Sequence, residues 1–148
     1  MSIEEKLEAD IKTAMIAHEA TTVTTLRGLK AAFLSAKVAA GTRDSGLGDD
    51  EAIAILSKEA KKRQESADMY TQGNSPERAE AELAEKKLIE TYLPAQLSDD
   101  EIAVIVDEII ASSTDPSMGP IIGAVKARTA GAADGGVIAR IVKSKLLG

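Results

Sequence analysis

The sequence predicts an all-α protein: an N-terminal module of long helices followed by a small C-terminal module of three shorter ones. Apolar residues recur at helical spacing along nearly the whole chain, and no alternating run is bounded by hairpin turns. The 148 residues are 44% hydrophobic but include only two Tyr, one Phe and no Trp, so the core must be aliphatic and alanine-rich, which suits close-packed helices. The stretch Tyr92-Leu93-Pro94-Ala95-Gln96-Leu97 stops one helix at a proline, and Ser98 with Glu101 opens another at capping-box spacing. These signals place a boundary near Pro94, dividing the chain into residues 1–93 and 94–148, with a hinge expected at Ala95 to Leu97.

The first helix opens at a Ser2–Glu5 capping box and sets Ile3, Leu7, Ile11, Ala14, Met15 and His18 on one face. A second, from about Thr22 to Ala40, carries Val23, Leu26, Leu29, Phe33 and Leu34 and ends at Gly41. Residues 41–48 hold glycines and short polar side chains and read as a loop. The third helix starts with Asp49, Asp50 and Glu51, acids that suit a helix N-terminus, and runs to about Gln72. Ile53, Leu56, Ala60, Ala67 and Tyr70 form its expected buried side. Ser75 caps the fourth, Pro76 sits in its first turn, and Leu83, Leu88 and Ile89 carry it to Tyr92.

Beyond the joint, Ile102, Ile105, Val106, Ile109 and Ile110 form an apolar stripe that ends near Ser113, before Asp115-Pro116. Pro120 opens a short helix holding Ile121, Ile122 and Val125, closed by Gly131. Asp134 caps the last, whose buried residues are Ile138, Ile141, Val142 and Leu146. Helices this short are marginal alone and must pack on one another.

Composition excludes several kinds of chemistry. With no cysteine there is no disulfide, thiolate metal site or Cys nucleophile, which fits a reducing cytoplasm. The N-terminus is acidic without an apolar signal region, and no apolar run is long enough for a bilayer, so a cytoplasmic protein is expected. His18 is the only histidine and reads as a helix-end residue without partners for a metal or a catalytic triad. The glycines of Gly131 to Gly136 lack the spacing of a nucleotide-binding loop. No catalytic set, metal site or cofactor is expected.

The net charge of −6 argues against nucleic acid, but its distribution is uneven. Residues 98–115 hold six acids and no base, whereas residues 116–148 hold Lys126, Arg128, Arg140, Lys143 and Lys145 against Asp134 alone. That basic tail is either a solvated helix end or a phosphate-binding patch. Lys58, Lys61, Lys62 and Arg63 form a second cluster, readable as a salt-bridged face or as a further contact for RNA or an acidic partner.

Several blocks carry a resemblance in order along the chain. They are Leu7, Asp10, Lys12 and Ala14-Met15; Thr25 to Ala32; Lys58 to Ser66; Leu83 to Lys86; Tyr92 to Leu97; Met118-Gly119; and Gly131 to Gly135 with Asp134. Together they resemble the YqeY-like family over nearly the whole chain. The resemblance implies a helical N-terminal module and a C-terminal module similar to the tail of GatB, the B subunit of tRNA-dependent amidotransferases, which contacts tRNA. The glutamine-dependent carbon–nitrogen ligase chemistry of those enzymes resides in domains that this chain lacks. Ala132 and Ile16 stand where the family usually has Arg and Lys, and Thr129-Ala130 replaces a more basic pair.

Two roles follow as expectations. One is an accessory module of translation that contacts tRNA, or a complex of an amidotransferase or aminoacyl-tRNA synthetase, through Lys126, Arg128, Arg140, Lys143 and Lys145. The other is a protein-interaction adaptor whose N-terminal helices dock on a partner or on a second copy. An enzyme with its own active site is the weakest reading, since a nucleophile, a tuned base and a charge stabiliser cannot all be assigned.

Overall fold

Ser2 accepts a hydrogen bond from the backbone N–H of Glu5, and Glu5 returns one from the backbone N–H of Ser2, so the expected capping box opens α1 (Ile3–Ile16) in the computed structural model, which describes residues 1–148. Then follow α2 (Ala20–Ala40), α3 (Asp49–Gln72), α4 (Pro76–Glu90), α5 (Asp99–Ser112), α6 (Met118–Thr129) and α7 (Gly135–Leu147). There are seven helices and no strand, as the helical spacing predicts. No helix is long and apolar enough to cross a membrane.

The chain divides into two compact units, Met1–Leu93 and Pro94–Gly148. In the first, α3 and α4 form the most extensive helix pair, and α1 and α2 form a second antiparallel hairpin. Leu7 and Ile11 of α1, Leu26, Leu29 and Phe33 of α2, Ala52, Leu56 and Ala60 of α3, and Ile89 and Tyr92 make one core. The alanines let α3 and α4 approach closely, and Ala67 and Ala79 continue that packing toward the turn at Gly73.

Several residues depart from their expected places. Met15 is largely exposed, and His18 lies beyond α1 at φ 59°, so neither joins the buried face. Ile53 and Tyr70 are half-buried, and Leu34 and Leu83 are exposed. Ser75 makes no side-chain cap, which leaves Pro76 as the main start signal of α4. Leu47 is buried although its loop is polar. Its N–H donates to Glu4 Oε1 at 3.4 Å, while Glu4 also pairs with Lys37 at 2.8 Å, and this folds the loop back onto α1.

The second unit has its own core of Ile102, Val106, Ile121, Val125, Ile138, Ile141 and Val142. Ser98 and Glu101 form the reciprocal cap of α5. The turn between α6 and α7 takes two successive left-handed residues, Ala130 at φ 45° and Gly131 at φ 88°. The helix therefore ends one residue earlier than Gly131 alone implies, and glycine suits the second position because a Cβ there is strained. Asp134 then accepts the N–H groups of Gly136 and Val137 to start α7.

Candidate nucleic-acid interface

The joint segment works as two anchors, one for each unit. Tyr92 and Leu93 belong to the first: Leu93 packs on its core, and the Tyr92 hydroxyl donates to Asp10 Oδ2 at 2.5 Å. Lys6 Nζ bonds the same oxygen at 3.0 Å and lies 4.3 Å from the centre of the Tyr92 ring. The hydrogen bond from Tyr92 holds the Asp10 carboxyl below its usual range, with Lys6 assisting against a smaller opposing effect of burial. Burial, together with that same carboxylate, pushes the Tyr92 phenol well above its ordinary value.

Gln96 and Leu97 belong to the second unit. The Gln96 amide donates to Gly131 O at 3.2 Å, and Leu97 N–H donates to Ala132 O at 2.8 Å. These bonds fasten the segment to the α6–α7 turn, so Gln96 and Leu97 are not a free connector as the expected hinge has them. They also give Gly131 and Ala132 a backbone role in holding the start of α5.

The five tail bases all lie at the surface of the second unit. Three of them pair with α5: Arg128 with Glu108 at 2.5 Å, Arg140 with Asp99 at 2.7 Å and Lys145 with Asp107 at 3.1 Å. The side chains in these pairs are between 39% and 65% exposed. Lys126 and Lys143 make no ion pair. Arg140 and Lys143 are three residues apart on α7, so they share a side of that helix. The Lys126 chain passes close to Gly135, where a Cβ would stand 3.3 Å from its Cε. That approach carries the Lys126 ammonium to the start of α7.

The tail read in isolation as a basic unit needs correction. With α5 included, the second unit holds five bases and seven acids. All five bases are exposed on α6 and α7, and three of them lie beside carboxylates of α5.

The Lys58–Arg63 cluster is also partly neutralised. Glu59 bonds both Lys62 at 3.3 Å and Arg63 at 2.8 Å. Burial raises the Glu59 carboxyl, but the hydrogen bonds from Arg63 and Lys62 outweigh it and leave the group below its usual range. Arg63 faces inward, its side chain 20% exposed, and reaches Glu85 of α4 at 3.7 Å. Glu85 in turn accepts the hydroxyl of Thr25 on α2 at 3.0 Å, and Thr25 is only 3% exposed. Beside them, Lys86 donates to Gln64 at 2.8 Å. Arg63 is thus a structural link across α2, α3 and α4, and only Lys58 and Lys61 remain exposed and unpaired. Thr25 and Glu85 are the residues that sequence reasoning missed as partners. Their one signal is that both fall inside the family-like blocks.

The Glu85→Ala variant is expected to lose about 1–3 kcal/mol of stability, because it strands the buried Thr25 hydroxyl and removes one carboxylate from Arg63. Urea unfolding of the variant beside the parent protein checks this. A loss below about 0.5 kcal/mol, the usual size for a surface change, would show that the network holds nothing together.

An open hollow lies at the α1–α2 turn, lined by Met15, His18, Glu19, Val23, Thr24 and Arg27 among others. No group of three or more His, Cys, Asp or Glu side chains is arranged to hold a metal ion.

Fold and charge arrangement together define an all-α protein of two helical units, in which most of the clustered bases are held by neighbouring carboxylates. The chain belongs to the YqeY-like family, whose model matches residues 4–146 under the description Yqey-like protein. No curated protein matches it.

Proposed function

We propose that this protein is an accessory tRNA-binding module of the translation apparatus, working beside an amidotransferase or aminoacyl-tRNA synthetase and having no active site of its own. The observation that supports the reading is that Lys126, Arg128, Arg140, Lys143 and Lys145 are all exposed on α6 and α7 of one three-helix unit, two helices that carry no acid. Their ion pairs are exposed, and exposed pairs are weak, so a phosphate can take the place of a carboxylate on arginine or lysine. Lys58 and Lys61 supply a second contact on the first unit. A cytoplasmic location accords with this role and with the lack of cysteine.

The test is a fluorescence-anisotropy titration with total tRNA at two salt concentrations, with duplex DNA as competitor. Saturable binding that weakens with salt and resists DNA is expected. The Arg128→Gln/Arg140→Gln/Lys143→Gln variant should bind at least about tenfold more weakly, as befits three lost phosphate contacts. Equal binding by variant and parent would remove the tail unit from the account.

A second reading, a protein-interaction adaptor, draws on the first unit. Ile16 is 81% exposed beside Met15 and the hollow of the α1–α2 turn, and Leu34 and Val38 are exposed one turn apart on α2. A partner or a second copy would cover these residues, and sedimentation of the protein alone separates those two cases.

A further inference from the structure

Charge in the second unit is sorted by helix. Helix α5 carries Asp99, Asp100, Glu101, Asp107 and Glu108 and no base, while α6 and α7 carry all five bases and no acid. Every ion pair of the unit runs from α5 to one of the other two: Asp99 to Arg140 and Asp107 to Lys145 on α7, and Glu108 to Arg128 on α6. These carboxylates place oxygens on the guanidinium and ammonium groups where phosphate oxygens would bind. Pairs this exposed add little to stability, so holding the unit together does not account for the sorting.

We propose that α5 is a built-in phosphate mimic that masks the cationic surface of α6 and α7, so that tRNA binds only by displacing Asp99, Asp107 and Glu108. This rests on the reading of the second unit as a tRNA-binding module. Masking lowers affinity for any polyanion. It leaves binding to ligands that present enough phosphates in the right places to displace several carboxylates together, and so trades strength for selectivity. Lys126 and Lys143, which have no carboxylate partner, provide the first foothold.

The test compares two full-length variants of equal charge. Asp99→Asn/Glu108→Gln unmasks Arg140 and Arg128, whereas Asp100→Asn/Asp115→Asn removes two acids that make no ion pair. Asp99 and Asp100 both lie in the first turn of α5, so any effect on the helix dipole is matched. With total tRNA in anisotropy titrations at about 0.1 M salt, the unmasked variant should bind about five- to tenfold tighter than the parent protein. The control should gain about twofold or less, because unpaired charges act only through a screened field. Thermal unfolding of both should stay close to the parent. If the unmasked variant unfolds early, Asp107→Asn alone, which frees Lys145, should still tighten binding.

Equal affinity of the two double variants, with the parent binding normally, overturns the mask and leaves the tRNA reading standing. If neither the parent nor the unmasked variant binds, the carboxylates are not what withholds the surface, and both the mask and the tRNA reading fall.

Discussion

The Tyr92→Ala variant is expected to lose about 3–5 kcal/mol, the usual cost of deleting a buried aromatic ring. Tyr92 sits at the end of the first unit's core, and its removal also strips Asp10 of the hydroxyl that bonds it and Lys6 of the ring beneath it. Tyr92→Phe separates these effects. It keeps the ring and is expected to cost about 1.5–3 kcal/mol, the range for a hydrogen bond to a charged group. Because the Asp10 carboxyl is held below its ordinary value, the stability it contributes is present above about pH 4, where the unfolded group ionises. It is lost as pH falls further, through the depressed folded value. The phenol contributes in the opposite sense. Its value is raised, so its share is present below about pH 10 and lost as pH rises above that. In Tyr92→Phe both dependences should shrink. Urea unfolding at pH 7 and at pH 3 measures the acid-side dependence, and an unchanged pH 7-to-3 difference would mean that the hydroxyl does not set the Asp10 charge.

The second large effect is expected from Ile138→Ala. Ile138 is fully buried, and truncating such a side chain costs about 2–5 kcal/mol. A 55-residue unit has little stability to spare, so this change should unfold it in part even at room temperature. Both tyrosines and the only phenylalanine lie in residues 1–93. Tyrosine fluorescence therefore reports on the first unit alone, while far-ultraviolet circular dichroism reports on all seven helices. The variant should lose helical signal at low urea while its fluorescence transition keeps the parent midpoint. Loss of both signals together would show that the two cores do not unfold independently.

The legible part of this molecule was local. Ser2–Glu5 and Ser98–Glu101 are pairs three residues apart whose geometry follows from the start of a helix, and the structure forms both boxes. The stripes on α5 and α7 were readable because burial recurs every third or fourth residue. What the sequence hid depends on contacts across the fold. Tyr92 meets Asp10 across 82 positions and Thr25 meets Glu85 across 60, distances over which no periodicity carries information. Leu47 is a lone apolar residue in a polar loop, so its burial left no pattern. The basic tail was legible as composition, but its pairing with α5 was not, because spacing along the chain does not say which helices become neighbours.

The central claim is that tRNA engages the helices α6 and α7 by displacing the carboxylates of α5. Chemical-shift mapping of the isotope-labelled protein on addition of total tRNA tests it most directly, because it locates the contact residue by residue. The account predicts shifts at Lys126, Arg128, Arg140 and Lys143, with matching shifts at the side-chain carboxylates of Asp99, Asp107 and Glu108. A spectrum unchanged at saturating tRNA, or shifts confined to Met15, Ile16 and their neighbours on the α1–α2 hairpin, would contradict it.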